Sequence, residues 1–250
     1  MGAREPPPVC ILAGGRGTRL GALGRELPKP LLQVAGEPFL VHQLRLLAAG
    51  GAREAVICVG HRGEMIESRI GTACCGVRIA YSHDGPGLDG TLGAVRRAGA
   101  LLPERFLVLY GDTYLRIGYR AAWRAWEKSG LPALMVVLRN AGRWDTSNAR
   151  FEAGRVLAYD KRCPTPEMRW IDYGLGGLSA GALASVAEGE RDLAILYSAL
   201  ARNGELFGYP ASRRFYEIGT PDALRETDAF LAGTGAAGHT CAAHRREARA

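Results

Sequence analysis

Apolar runs and amphipathic stretches alternate through the first 140 residues. Val9 to Gly14 is continuously apolar, the pattern of a strand buried on both faces of a parallel sheet. Pro38 then opens a helix whose apolar positions Leu40, Leu44 and Leu47 fall at helical spacing. Further strands are predicted at 54–60, 77–82, 105–112 and 132–138, and the one at 105–112 ends on an acidic residue. Helices are predicted at 63–70, 91–99 and 119–128. This rhythm predicts an α/β sheet built from right-handed crossovers.

The rhythm changes after about residue 140. Residues 149–161 read as a hairpin turning at Ala153-Gly154. A strand over 172–179 leads into a helix from Ala180 to Ala187, and a helix from Asp192 to Asn203 stops at Gly204. "LFGYP" and "FYEIG" read as strands. Thr220 as cap and Pro221 at the first helical position mark the start of a last helix. The reading is a flexible tail at 1–8 and one domain at 9–232. The change of rhythm divides that domain into a part at about 9–140 and another at about 141–232. A tail at 233–250 is expected to be disordered.

Composition changes this picture little. Hydrophobic residues are 47% and charged residues 23% of 250, as in ordinary globular chains. No apolar run reaches the roughly 20 residues of a membrane span, and "MGAREPPPV" lacks the apolar core of a signal peptide. A cytoplasmic protein with no membrane partner is expected. The net charge of +7 suits phosphorylated ligands. The arginines are scattered without aromatic interleaving, so no nucleic-acid partner is expected. No CxxC pair occurs, which argues against zinc. Cys10 and Cys58 lie in apolar runs and are read as buried thiols, and the histidines as loop or surface residues.

The candidate chemistry begins with "ILAGGRGTRLG", residues 11–21, directly behind the first strand. In open α/β sheets, ligands bind beyond the carboxyl ends of the strands. Glycines there let backbone N–H groups approach an anion, and Arg16 and Arg19 add charge. The segment is not a Walker loop, which needs GxxxxGK[ST]. Nor is it the dinucleotide fingerprint, because Leu20 stands where GxGxxG needs its last glycine. "LPKP" holds Lys29 between two stiffening prolines, "YGDTY" puts Asp112 just after a strand, and "YEIGTPD" puts Glu217 at the end of another. Two carboxylates facing a phosphate loop suggest Mg²⁺.

With "LAGGRGTRL", "LPKPLLQVAGEPFL", "GDTY", "YDKR", "DYG" and "YEIGTPDAL", spaced over residues 9 to 231, the chain resembles the sugar-1-phosphate nucleotidyltransferases. That resemblance implies a Rossmann-like, mostly parallel mixed sheet flanked by helices, of the glycosyltransferase-A-like kind. It also implies a Mg²⁺-dependent reaction of an NTP with a sugar 1-phosphate, the nucleotide-binding part covering about 9–140 and the sugar-binding part about 141–232. It places Leu12, Ala13, Gly14 and Gly15 at the base and ribose, Gly17, Thr18 and Arg19 at the triphosphate, and Gly90 and Thr91 at the nucleobase. Arg19, Lys29 and Asp112 become the catalytic candidates. Asp112 is the main metal ligand and Glu217, where many members have Asp, the second. Tyr110, Gly111, Asp160, Lys161, Asp172 and Gly174 fall at the sugar and its phosphate. Asp172 stands where Asn is common, which removes a donor.

The short length and "YDKRCPTPEMRWIDYGLG" resemble most the heptose 1-phosphate guanylyltransferase group, implying GTP and a heptose-like acceptor. UTP, CTP or dTTP with a hexose 1-phosphate is the alternative. A molybdopterin nucleotidyltransferase shares the LAGG-type loop but not "PKP" or "YEIGTPD". A non-catalytic relative would be expected to lose Arg19, Lys29 or Asp112, and all three are present. Relatives are often dimers or larger, so a homo-oligomer is possible on this reading. Plain alternatives stand beside each residue: a strand-end turn for Asp112, a turn cap for Asp172, solvated charges for Lys29, Asp160, Lys161 and Glu217.

Overall fold

The computed structural model describes residues 8–85 and 90–233. The two expected tails lie outside it, apart from Pro8 and Gly233. In chain order, β1 (Val9–Leu12) is followed by α1 (Ala22–Glu26), β2 (Gln33–Val34), β3 (Glu37–Pro38), α2 (Phe39–Ala49), β4 (Glu54–Val59), α3 (Gly63–Ile70), β5 (Ala73–Cys74) and β6 (Val77–His83). Then come α4 (Gly90–Ala98), β7 (Arg105–Tyr110), β8 (Thr113–Tyr114), α5 (Tyr119–Ser129) and β9 (Ala133–Arg139). The remainder adds β10 (Ala149–Glu152), β11 (Arg155–Tyr159), β12 (Trp170–Ser179), α6 (Ala180–Ala184), α7 (Leu193–Arg202), β13 (Leu206–Ala211), β14 (Tyr216–Glu217) and α8 (Pro221–Gly233).

Ten strands join in one sheet of order β10-β11-β13-β9-β12-β7-β1-β4-β6-β5. β1, β4, β6, β7, β9 and β13 run parallel, while β5, β11 and β12 oppose them. The fold is thus the expected mostly parallel mixed sheet flanked by helices. The pleat sorts neighbouring side chains to opposite faces. Val9 and Ile11 join a core with α2, α3 and α5, through Leu44, Ile66 and Trp126. Cys10 joins another with α4 and α7, through Leu92 and Leu196. Cys10 and Cys58 are both buried, as their setting predicted.

One helix and one strand differ from expectation. The helix opened by Ala180 ends at Ala184, where the Ser185 hydroxyl donates to the carbonyl of Ala182 (2.8 Å) and competes with the helical ladder. "FYEIG" supplies only the two residues of β14, which pair with β8 apart from the main sheet. His42 corrects the reading of the histidines as loop or surface groups. It lies on the packed face of α2, 2% exposed, with Nε2 2.7 Å from the carbonyl of Val34, and burial holds its pKa down.

A third, smaller core brings Leu20, Leu32, Val34, Phe39, Ile218 and Leu231 together. Each fully buried aliphatic side chain of this kind contributes about 1.5–3 kcal/mol. Leu20 follows Arg19, and Ile218 follows Glu217. Packing of the apolar residues therefore carries their charged neighbours to one edge of the main sheet.

Candidate active site

Leu12 pairs with Tyr110 across β1 and β7, so the glycine loop and the Gly111-Asp112 turn leave adjacent strands at the same edge. The Gly111 N–H donates to the carbonyl of Leu12 (2.9 Å), and the Ala13 N–H to that of Cys58 (2.9 Å). The backbone is crowded here. A Cβ on Gly14 would stand 2.8 Å from Oδ2 of Asp84 and 3.2 Å from the Gly60 nitrogen, so a larger residue would displace the Asp84 carboxylate and press on the Gly60 backbone. Gly17 turns the chain with φ of 64°, into a 3-10 turn over Thr18–Leu20. Arg16 and Arg19 are exposed, free to meet an anion arriving at the loop.

Lys29 opens the second 3-10 turn, Lys29–Leu31. Its Nζ lies 3.0 Å from Oδ2 of Asp112, with side-chain exposures of 13% and 28%. Gln43, buried on α2, donates through Nε2 to the carbonyls of Tyr110 (2.9 Å) and Thr113 (2.8 Å), pinning the turn that carries Asp112. Opposite it, Glu217 pairs with Thr113, and the Ile218 N–H donates to the carbonyl of Asp112 (3.0 Å). The two carboxylates predicted from distant segments therefore share one short ladder. Burial raises the pKa of Glu217, and the negative charge of Asp112 raises it further, while Arg19 and Lys29 oppose the shift. Among the described residues, no group donates a hydrogen bond to its side chain. A half-buried, unpartnered carboxylate beside a second one is a donor set that fits a hard divalent cation.

The acceptor-side candidates gather around β12. Its register against β9 slips between Asp172 and Gly176, a bulge that re-aims the strand. Gly174 sits in it with φ of 95°, where a Cβ would stand 3.0 Å from Oγ1 of Thr113. The Gly174 N–H donates to Oδ1 of Asp172 (3.0 Å), the Tyr159 hydroxyl donates to Oδ2 (3.0 Å), and Lys161 Nζ lies 3.3 Å from Oδ2. Asn148 Oδ1 accepts the Asp172 N–H (2.9 Å). Tyr110 is half-buried nearby. Desolvation and then the charge of Asp172 raise its phenol pKa. Asp160 is turned away: its Oδ1 accepts the N–H groups of Arg162 (2.8 Å) and Cys163 (2.9 Å), and these bonds hold its pKa down. It closes a turn beside an open recess of about 260 Å³ that Lys161, Asp192 and Ser198 also line.

Gly90 opens α4 with φ of 68°, packed on Arg191. The Thr91 hydroxyl accepts the Leu193 N–H (2.9 Å), so this candidate base contact also ties α4 to α7. His83 faces Glu67 on the surface, 3.3 Å away. The sequence reading missed Gln43, Asn148 and Tyr159. Gln43 alone left a trace, a polar residue inside the apolar stripe Leu40-Leu44-Leu47.

Residues 9–144 match the family model described as Nucleotidyl transferase. The bifunctional IPC transferase and DIPP synthase of Rubrobacter xylanophilus is 33% identical over 246 residues, covering 94% of this chain and 54% of that protein. The mannose-1-phosphate guanylyltransferase catalytic subunit beta of Drosophila pseudoobscura pseudoobscura is 34% identical over 136 residues, 52% of this chain and 36% of its own length. The chain spans about half the length of the curated relatives it matches. HddC from Yersinia pseudotuberculosis, in complex with GMP-PN, shares the fold: its TM-score is 0.72 at 19% identity, over 90% of this chain and 99% of that one.

Proposed function

Because the chain belongs to the nucleotidyl transferase family, we propose that it joins an NTP to a sugar 1-phosphate, giving an NDP-sugar and pyrophosphate. The observation that carries this reading is the meeting of Lys29, Asp112 and Glu217 at the sheet edge that bears the glycine loop. A cation, neighbouring carboxylates and the backbone amides of a glycine loop are what two phosphorylated reactants require.

No protein nucleophile is needed. An oxygen of the sugar phosphate forms a bond to the α-phosphorus, and the α–β bridging P–O bond breaks with its electrons leaving on pyrophosphate. The protein's share is positioning and neutralisation of crowded negative charge. Gly17 and Thr18 offer backbone donors to the triphosphate. Arg19 faces the departing pyrophosphate, Lys29 the reacting phosphate, and Lys161 the acceptor phosphate. Leu12, Ala13, Gly14, Gly15, Gly90 and Thr91 border the base and ribose. Asp112 and Glu217 would hold Mg²⁺, which when bound neutralises phosphate charge at the α-phosphorus.

For the substrates we favour GTP and a heptose-like sugar 1-phosphate. The similarity of 136 residues to a mannose-1-phosphate guanylyltransferase subunit supports guanine. The segment over 159–176 supports the higher-carbon acceptor. Pyrophosphate release, measured with Mg²⁺ across five NTPs and a panel of sugar 1-phosphates, tests both levels. Best turnover with GTP and a heptose 1-phosphate is expected. Best turnover with another pair overturns the substrate choice, and no turnover with any pair overturns the reaction.

A further inference from the structure

The chain carries only three lysines, Lys29, Lys128 and Lys161, among 32 lysines and arginines. Two of the three lie in the candidate site, and both meet an aspartate: Lys29 with Asp112 at 3.0 Å and Lys161 with Asp172 at 3.3 Å. In a chain that otherwise uses arginine almost everywhere, these positions hold the compact ammonium. The surroundings of Lys161 supply a reason. Its Nζ lies 5.2 Å from the ring centroid of Tyr110 and 5.8 Å from that of Tyr159, with Oδ2 of Asp172 beside it. Two aromatic faces and one carboxylate form a cage for a point charge. A planar guanidinium would instead stack on the rings and fork onto the carboxylate, as Arg214 does with Trp144, Tyr216 and Glu226, whereas the ammonium of Lys161 is a compact point charge with donors that can turn to a second anion.

Asp172 is itself held from several directions. Its side chain is 6% exposed. Oδ1 accepts the Gly174 N–H, Oδ2 accepts the Tyr159 hydroxyl, and its own N–H is taken by Asn148. With Lys161 counted, three of the roughly four lone-pair sites of the carboxylate are engaged within the protein. Little of it is left to read a sugar hydroxyl. Asp160, the acidic neighbour of Lys161 in sequence, is committed to the Arg162 and Cys163 amides.

We propose that Asp172 is a positioning residue: steadied by Tyr159, it holds the Lys161 ammonium against Tyr110, ready for the acceptor phosphate. The proposal rests on the transferase reading for the identity of that phosphate, and on geometry alone for the cage. Lys161, 43% exposed, keeps donors free for an incoming anion while one is spent on Asp172.

Two measurements test it. The first is a double-mutant cycle. Asp172→Asn raises KM for the sugar 1-phosphate about tenfold, Tyr159→Phe moves it the same way by a smaller factor, and KM for the NTP changes less than twofold. In a Lys161→Ala background, Asp172→Asn adds less than twofold, because the group it positions is gone. Full additivity overturns the proposal, as does a change of sugar preference caused by Asp172→Asn with Tyr159→Phe silent. The second needs no turnover. Protein labelled with 13C at the lysine ε-carbon gives three ε-methylene signals, and Lys161→Arg identifies one. The Lys161 signal is displaced upfield by the two tyrosine rings, and Asp172→Asn returns it towards the position of Lys128. A wild-type Lys161 signal already at the Lys128 position overturns the cage. Should wild-type protein turn over no NTP–sugar pair, the transferase reading falls, and this spectrum still decides whether Asp172 holds Lys161.

Discussion

Replacing Lys29 by methionine removes one charge and keeps most of the aliphatic stem. At 3.0 Å from Asp112, the gross attraction is about 5.5 kcal/mol at an effective dielectric of about 20. Desolvation of both groups offsets much of this, leaving a net value for a charged hydrogen bond of about 2 kcal/mol. The fold therefore survives, with Tm lower by about 4–8 °C at roughly 2–4 °C per kcal/mol for a chain of this size. Catalysis suffers more, because the cation acts on charge in the transition state. Loss of one such donor costs about 10²–10³ in kcat. The assay is steady-state pyrophosphate release on the best NTP–sugar pair, with thermal unfolding in parallel. A Lys29→Met protein that keeps its Tm and a kcat within about threefold of wild type would refute the placement of Lys29 at the reacting phosphate.

Chelation with EDTA is expected to abolish turnover and added Mg²⁺ to restore it, whereas Asp112→Asn should not be rescued at any Mg²⁺ concentration; full activity in chelator would sink the metal role. The raised pKa of Glu217 means that its ionised form strains the fold, so the stability gained from its proton is lost as pH rises through the folded pKa. Glu217→Gln should accordingly raise the Tm of metal-free protein at neutral pH by on the order of 2 °C, with the gain shrinking as pH falls, while turnover drops; an unchanged or lower Tm at pH 7 counts against this. Gly174→Ala, at φ of 95° with its Cβ 3.0 Å from Thr113 Oγ1, should cost about 1–3 kcal/mol. It should also raise acceptor KM, because the same residue donates to Asp172; denaturant unfolding and kinetics check the two effects separately.

Much of this architecture was legible in the chain's periodicity. β1, β4, β6, β7 and β9 are apolar runs long enough to show their period, and α2 to α5 carry clear stripes. The two-residue strands β2, β3, β5 and β8 have no period to detect, and their pairing is set by long-range packing. The place of β12 was also hidden, because an antiparallel strand inserted between β7 and β9 depends on partners far away in sequence. Site residues followed the same division. Lys29, Asp112 and Glu217 were visible through local spacing. The exchange of partners around Lys161 was not, because whether Asp160 or Asp172 meets its ammonium is decided by a turn and a bulge.

That inserted strand bears on protein engineering. Because β12 lies between β7 and β9, the chain cannot be divided near residue 140 into a donor module and an acceptor module, each with a finished sheet. A fragment ending there would leave β7 and β9 with bare edges where β12 should lie, an invitation to aggregate. Chimeras meant to trade acceptor preference between relatives should instead exchange 145–179 as a block, with the hairpin and β12 travelling together.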